Sequence, residues 1–135
     1  MNSAALDLCE MLEAESSLGL EFAVNLFVAR EPAVPDNIVV LFDTPGMPQE
    51  LTLGNDVKVY YPSVQIIVRN RSYNTGYALI ASIVDKLHGR GPETWNGTVY
   101  HPIVCVGDPA LLEWDNVGSG RARFFVNFNL VRRRT

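Results

Sequence analysis

Tyr60 to Gly89, YYPSVQIIVRNRSYNTGYALIASIVDKLHG, constrains the chain more than any other stretch, because a strand runs straight into an amphipathic helix. Pro62 opens the strand, and Val64, Ile66 and Val68 alternate with Gln65, Ile67 and Arg69, the period of a strand with two distinct faces. The loop NRSYN then offers Ser72 or Asn74 as a helix N-cap. Tyr73, Tyr77, Ile80, Val84 and Leu87 recur at helical spacing on one face, Leu79 and Ile83 widen the stripe, and Gly89 ends it. A stripe that broad must lie on a sheet, so the two tyrosines are expected in the core.

The flanking segments supply the other layers. A first helix is expected over Ser3 to Ser17, capped by Asn2 or Ser3, with Ala5, Leu8, Cys9 and Leu12 facing inward and Gly19 as its stop. Residues 22–29 alternate as a strand, EPAVPDN is a loop, and IVVLF at 38–42 is an apolar run expected to be covered on both faces. DTPGMPQELTLGND, at 43–56, reads as a long turn-rich segment, and loops of that length in a compact domain usually carry contacts. Asn96-Gly97 suits the left-handed positions of a type I′ hairpin turn. Strand residues continue to Val106 with an interruption at Pro102, then Gly107-Asp108-Pro109 is read as a bend and Leu111 to Trp114 as a short extended piece. The last strand alternates cleanly, with Ala122, Phe124, Val126, Phe128 and Leu130 on one face. The expected fold is α+β over residues 1–135 as one domain: a mixed, mostly antiparallel sheet with two helices packed on one face.

Composition sets the outer bounds. At 135 residues, 47% hydrophobic and 19% charged, the chain can bury a real core and is not of disordered type. No apolar run approaches the ~20 residues of a membrane helix, and the acidic start MNSAALDLCEMLEAE lacks a signal peptide's basic region, so no membrane partner and a cytosolic origin are expected. Cys9 and Cys105 stand alone without CxxC spacing and are expected as reduced thiols.

A search for chemistry finds little. His88 and His101 have no companion at metal-ligand spacing, and HEXXH, GxSxG, Walker A and strand-following GxGxxG patterns are all missing from the sequence. HGRGPE follows a helix instead of opening one, so no helix N-terminus is poised over it for phosphate. Asp43, Asp56, Asp85 and Asp108 would have to converge in space to act, which spacing alone does not indicate. Arg121, Arg123, Phe125 and Tyr100 could mix basic and stacking groups, as single-strand binders do, but the pI near 5.1 and the lack of a nucleic-acid motif argue against it. No catalytic residue, metal site or cofactor is expected.

Charge is distributed unevenly. Residues 1–57 carry ten acids and one base, Arg30, whereas residues 58–135 carry ten bases and five acids, giving −9 and +5. Either the two parts compensate each other within one fold, or the subunit has an acidic and a basic side suited to head-to-tail association.

Five segments in order then carry a resemblance: PDNIVVLFDTPG at 35–46, the strand–helix unit at 60–89, WNGTVY at 95–100, GDP at 107–109 and FFVNFNLVRR at 124–133. Together, over residues 20–133, they resemble the phage minor capsid/tail terminator family; Pro45 stands where that family often has a glycine, and the first helix carries no family signature. The resemblance implies a non-enzymatic virion protein at the head-proximal end of the tail, assembled in the host cytoplasm. It would form a homo-oligomeric ring, commonly a hexamer, that caps the tail tube, stops polymerisation and meets a head–tail connector protein, with DNA passing through its channel without sequence-specific binding. The candidate subunit contacts are Asp43, Glu50 and Asp56 in the long loop and Asn96 at the hairpin. Arg69, Arg71, Arg121 and Arg123 are candidate partners for an acidic neighbour. The alternatives are a head-completion or connector protein and, more remotely, a small host enzyme or nucleic-acid-binding domain.

Overall fold

The computed structural model describes residues 1–49 and 59–134. In chain order the elements are α1 (Ala4–Ala14), a 3₁₀ turn at Ser16–Leu18, β1 (Leu26–Val28), β2 (Ile38–Met47), β3 (Val59–Asn70), α2 (Tyr73–Leu87), β4 (Glu93–Trp95), β5 (Thr98–Tyr100), β6 (Val104–Asp115), β7 (Arg121–Asn129) and β8 (Arg132–Arg134). Strand β3 is the hub. Its later residues pair with β2 on one side and β7 on the other, while Val59 and Tyr60 pair with β8. One branch of the sheet therefore runs β1-β2-β3-β7-β6 and the other β3-β8-β5-β4, and among the described strands β1 and β2 are the one parallel pair. The fold is α+β with a mixed, mostly antiparallel sheet, as expected from the sequence.

Both helices cover the same sheet face. Ala5, Leu8 and Leu12 of α1 and Ile80, Ile83 and Leu87 of α2 join Val39, Leu41, Val64, Ile66, Val68, Phe124, Val126 and Phe128 in one buried cluster. Each such aliphatic or aromatic side chain contributes on the order of 1.5–3 kcal/mol when fully buried, so this interface is the main source of stability. Ser3 caps α1 by accepting from Leu6 N–H, and Ser72 caps α2 by accepting from Thr75 N–H. The opposite sheet face is buried too at Ile38, Val40 and Ile67, which is why IVVLF shows no polar alternation.

Four expectations need correction. Tyr73 and Tyr77 are exposed (48% and 42%), because the buried line of α2 runs through Gly76, Ile80, Ile83 and Leu87. Gly76 sets that rotation: a Cβ there would lie 2.9 Å from the Phe124 ring, and the tyrosines flank the ring edge-on instead of replacing it. The second strand does not stop at Phe42 but continues through Asp43 to Met47, with a register shift between Thr44 and Met47 that absorbs Pro45 and Gly46. Gly107-Asp108-Pro109 is not a bend between strands; β6 is continuous from Val104 to Asp115, with register shifts between Val106 and Ala110 and between Leu111 and Glu113. Conversely, the strand expected over residues 22–29 is only Leu26–Val28, preceded by a turn in which Val24 and Asn25 N–H donate to Glu21 O.

Candidate interaction surfaces

The arginines singled out in the sequence converge on one sheet face. Arg69 of β3 and Arg123 of β7 are directly opposite in register, and Arg121 lies two residues along β7 on the same face. Arg69, only 2% exposed, donates to the carbonyl oxygens of Pro32 (2.7 Å), Pro35 (2.8 Å) and Asp36 (3.1 Å), and to Glu31 Oε2 (3.0 Å). Arg123 takes the same Glu31 carboxylate (2.8 Å) and Glu113 of β6. Arg121 pairs with Asp115 (2.7 Å) and donates to Ala33 O (2.7 Å), and Arg71 pairs with Asp36 (2.7 Å). The loop 31–36, with its cis Val34–Pro35 bond, is thereby fastened across the sheet. Its backbone offers a row of carbonyls that no ladder uses, and planar guanidinium forks match such a row well.

The electrostatics follow from these pairs. Hydrogen bonding from Arg71 holds the Asp36 carboxyl below its ordinary range, and Arg121 does the same for Asp115. Burial lowers Arg69, with neighbouring Arg121 acting in the same sense. The acids that satisfy these arginines, Glu31, Asp36, Glu113 and Asp115, were not singled out in the sequence. The legible signal was the shared face of Arg121 and Arg123 on β7; the loop that answers it is 85 to 92 residues away in sequence.

The hairpin tip is equally engaged within the chain. Asn96 (φ +51°) and Gly97 (φ +75°) adopt the expected left-handed turn, and Asn96 Nδ2 donates to Asp7 Oδ1 and Glu10 Oε2, both at 2.7 Å. Asp7 is wholly buried and also accepts from the Tyr100 hydroxyl, to which Arg132 donates in turn at 3.1 Å. Asp43 is exposed and accepts from Ala5 N–H (3.0 Å) in the first turn of α1. Glu50 and Asp56 lie outside the described residues.

Among the described residues no group of three or more His, Cys, Asp or Glu could hold a metal ion. A cavity of about 290 Å³ is lined by Val84, His88, Cys105, Gly107 and Asp108. There His88 Nδ1 accepts from Cys105 N–H (3.0 Å), and burial with the nearby Asp108 charge pushes the Cys105 thiol up, away from a reactive thiolate. Cys9 is pushed up to about 12, chiefly by burial, and both cysteines are free. Tyr100 is buried against Asp7, on the opposite face from Arg121 and Arg123, so the basic and stacking groups weighed for single-strand binding do not share one surface.

An exposed apolar surface belongs to β6, an edge strand that pairs with β7 alone among the described residues. Val104, Val106, Leu111, Leu112 and Trp114 are all exposed along it, and Tyr77 of α2 stands beside Phe124, the register partner of Leu111. Pro109 and two register shifts break the regularity of the ladder without ending the strand, devices that blunt uncontrolled ladder growth while leaving side chains on offer. By their register Val104 and Val106 lie on the Asn127 and Asn129 face of the sheet and Leu111 and Trp114 on the Phe124 and Ala122 face, so this edge offers apolar side chains on both faces, a feature of protein-interaction surfaces.

Comparison with known proteins agrees with an assembly role. A family model described as bacteriophage tail terminator protein matches residues 5–132. A solved protein structure superposes with a TM-score of 0.56 at 12% identity, covering 98% of this chain and 97% of the other, which shows a shared fold. No curated protein matches. With nearly its whole length matched, the chain belongs to the bacteriophage tail terminator family and is a structural component of a phage tail.

Proposed function

We propose that this protein is the subunit of a ring, a hexamer in its functional form, that caps the finished tail tube. The ring stops tube polymerisation, presents its other face to a head–tail connector protein, and passes DNA through its channel without sequence-specific binding. Family membership over residues 5–132 is the observation that carries this reading. The exposed apolar edge β6 supports it, because a protein that works by assembly needs surface to bury.

Among the contact candidates, the segment 43–57, with Asp43, Glu50 and Asp56, and the hairpin tip at Asn96 remain proposed contact elements. Arg69, Arg121 and Arg123 act in this reading through the loop 31–36, whose shape they set, while Arg71 and Asp36, each more than a third exposed, can also reach a neighbour directly. Size-exclusion chromatography with light scattering, alone and with tail tubes present, tests the ring. The expected result is a discrete oligomer in at least one condition, and a monomer in both would contradict it. Tails assembled without the protein are expected to overrun their normal length, as seen by electron microscopy.

A further inference from the structure

Pairing inside the chain leaves several charged side chains without an ion pair among the described residues, two groups of them clustered. Glu15, Glu31, Asp36, Glu93, Glu113 and Asp115 each have an arginine or lysine partner within the molecule. Glu10, Glu13 and Glu21, at α1 and the turn before β1, have no such ion pair among the described residues, and neither have Arg133 and Arg134 on β8. The acidic cluster has a definite shape. Leu6, Cys9 and Phe22 form the apolar floor of a groove of about 150 Å³, and Glu10 and Glu13 form its rim.

The rim carboxylates are held in place. Glu10 accepts from Asn96 Nδ2 and Glu13 from Phe22 N–H, each at 2.7 Å and each through Oε2, so Oε1 of both is without a hydrogen-bond partner among the described residues. An anchored carboxylate over an apolar floor suits a guanidinium, whose stem covers the floor while its head meets the rim. The backbone that carries the two arginines is fixed, since β8 is paired on one side with β3 and on the other with β5. Arg132 is turned inward to Tyr100 and Asn2 O, whereas Arg133 and Arg134 are exposed.

We infer that the groove between α1 and Phe22 receives the Arg133–Arg134 end of β8 from a second copy of this chain. The inference rests on the ring reading and names a contact within it. In a ring this contact is heterologous and repeats from copy to copy. Complementary clusters also steer subunits into register as they meet.

Charge reversal provides the test. Full-length protein carrying Glu10→Lys with Glu13→Lys, or Arg133→Glu with Arg134→Glu, is expected to need at least about tenfold more protein to half-assemble than wild type. All four reversals in one chain are expected to restore assembly to within about threefold of wild type. Glu10→Gln with Glu13→Gln keeps the bonds to Asn96 and Phe22 and removes only the charge, so it serves if the lysine pair unfolds, and it is expected to weaken assembly in the same direction. Wild-type rings that neither pair of reversals nor the glutamine pair weakens would overturn the inference and leave the ring standing, as would a fourfold variant no better than the twofold ones. A wild-type chain that never assembles, even on tail tubes, would overturn the ring reading and this contact with it.

Discussion

Gly46 shows how closely β2 and β3 approach where the register shifts: a Cβ built there would sit 1.8 Å from the Tyr61 carbonyl oxygen. Gly46→Ala must therefore displace β3, and a loss of about 1–3 kcal/mol is expected in urea unfolding. Asp7 makes the complementary case. Its carboxylate is wholly buried and answered by Tyr100 and Asn96, so Asp7→Ala strands two polar groups and should cost about 3 kcal/mol by the same measurement. The sequence places Asp7 early in a helix, where the dipole favours an acid. Its burial was not legible there, because its partners lie 89 and 93 residues away.

At the scale of elements, the loop 31–36 depends on Arg69. Arg69→Met keeps the stem and removes the donors to three proline-flanked carbonyls, so a loss of roughly 2–4 kcal/mol and faster amide exchange around Asn37 and Ile38 are expected. The same clamp has an acid limit. Asp36 and Asp115 are held below their unfolded values by Arg71 and Arg121, so each contributes stability above the unfolded carboxyl pKa, and that contribution is lost as pH falls through the lower folded value. Unfolding midpoints are expected to stay level near neutrality and to fall below about pH 4.

Legibility differed among elements for physical reasons. Helix caps, the Asn-Gly turn and the alternation of β7 are local, and each appears where the sequence indicates it. The rotation of α2 depends on the Phe124 ring meeting Gly76, and the continuity of β6 through Gly107 and Pro109 depends on β7 as a template. Both are tertiary effects that helical or alternating periodicity does not encode. The exposed row on β6 was missed for the same reason, since an apolar edge strand and a buried one have the same composition. Trp114→Glu is expected to leave the thermal midpoint within about 2 °C of wild type, as for a surface change, and to impair assembly with the tail.

At the scale of the molecule, the uneven charge along the sequence resolves into two contributions. Part of it is neutralised inside the subunit, where Glu31 and Asp36 of the acidic part meet Arg69, Arg71, Arg121 and Arg123 of the basic part. The remainder includes Glu10 and Glu13 on α1 and Arg133 and Arg134 on β8, elements that meet where Arg132 donates to Asn2 O, while β6 supplies an exposed apolar edge. No described helix is long and apolar enough to cross a membrane, so the exposed apolar surface is not explained by a spanning helix. A subunit of this kind acts by being placed, and its proper assay is placement. The most direct measurement is co-sedimentation with purified tail tubes, followed by electron microscopy of the tube ends. Saturable binding confined to one tube end, visible there as a ring, is expected, and failure to bind either end would contradict the terminator role.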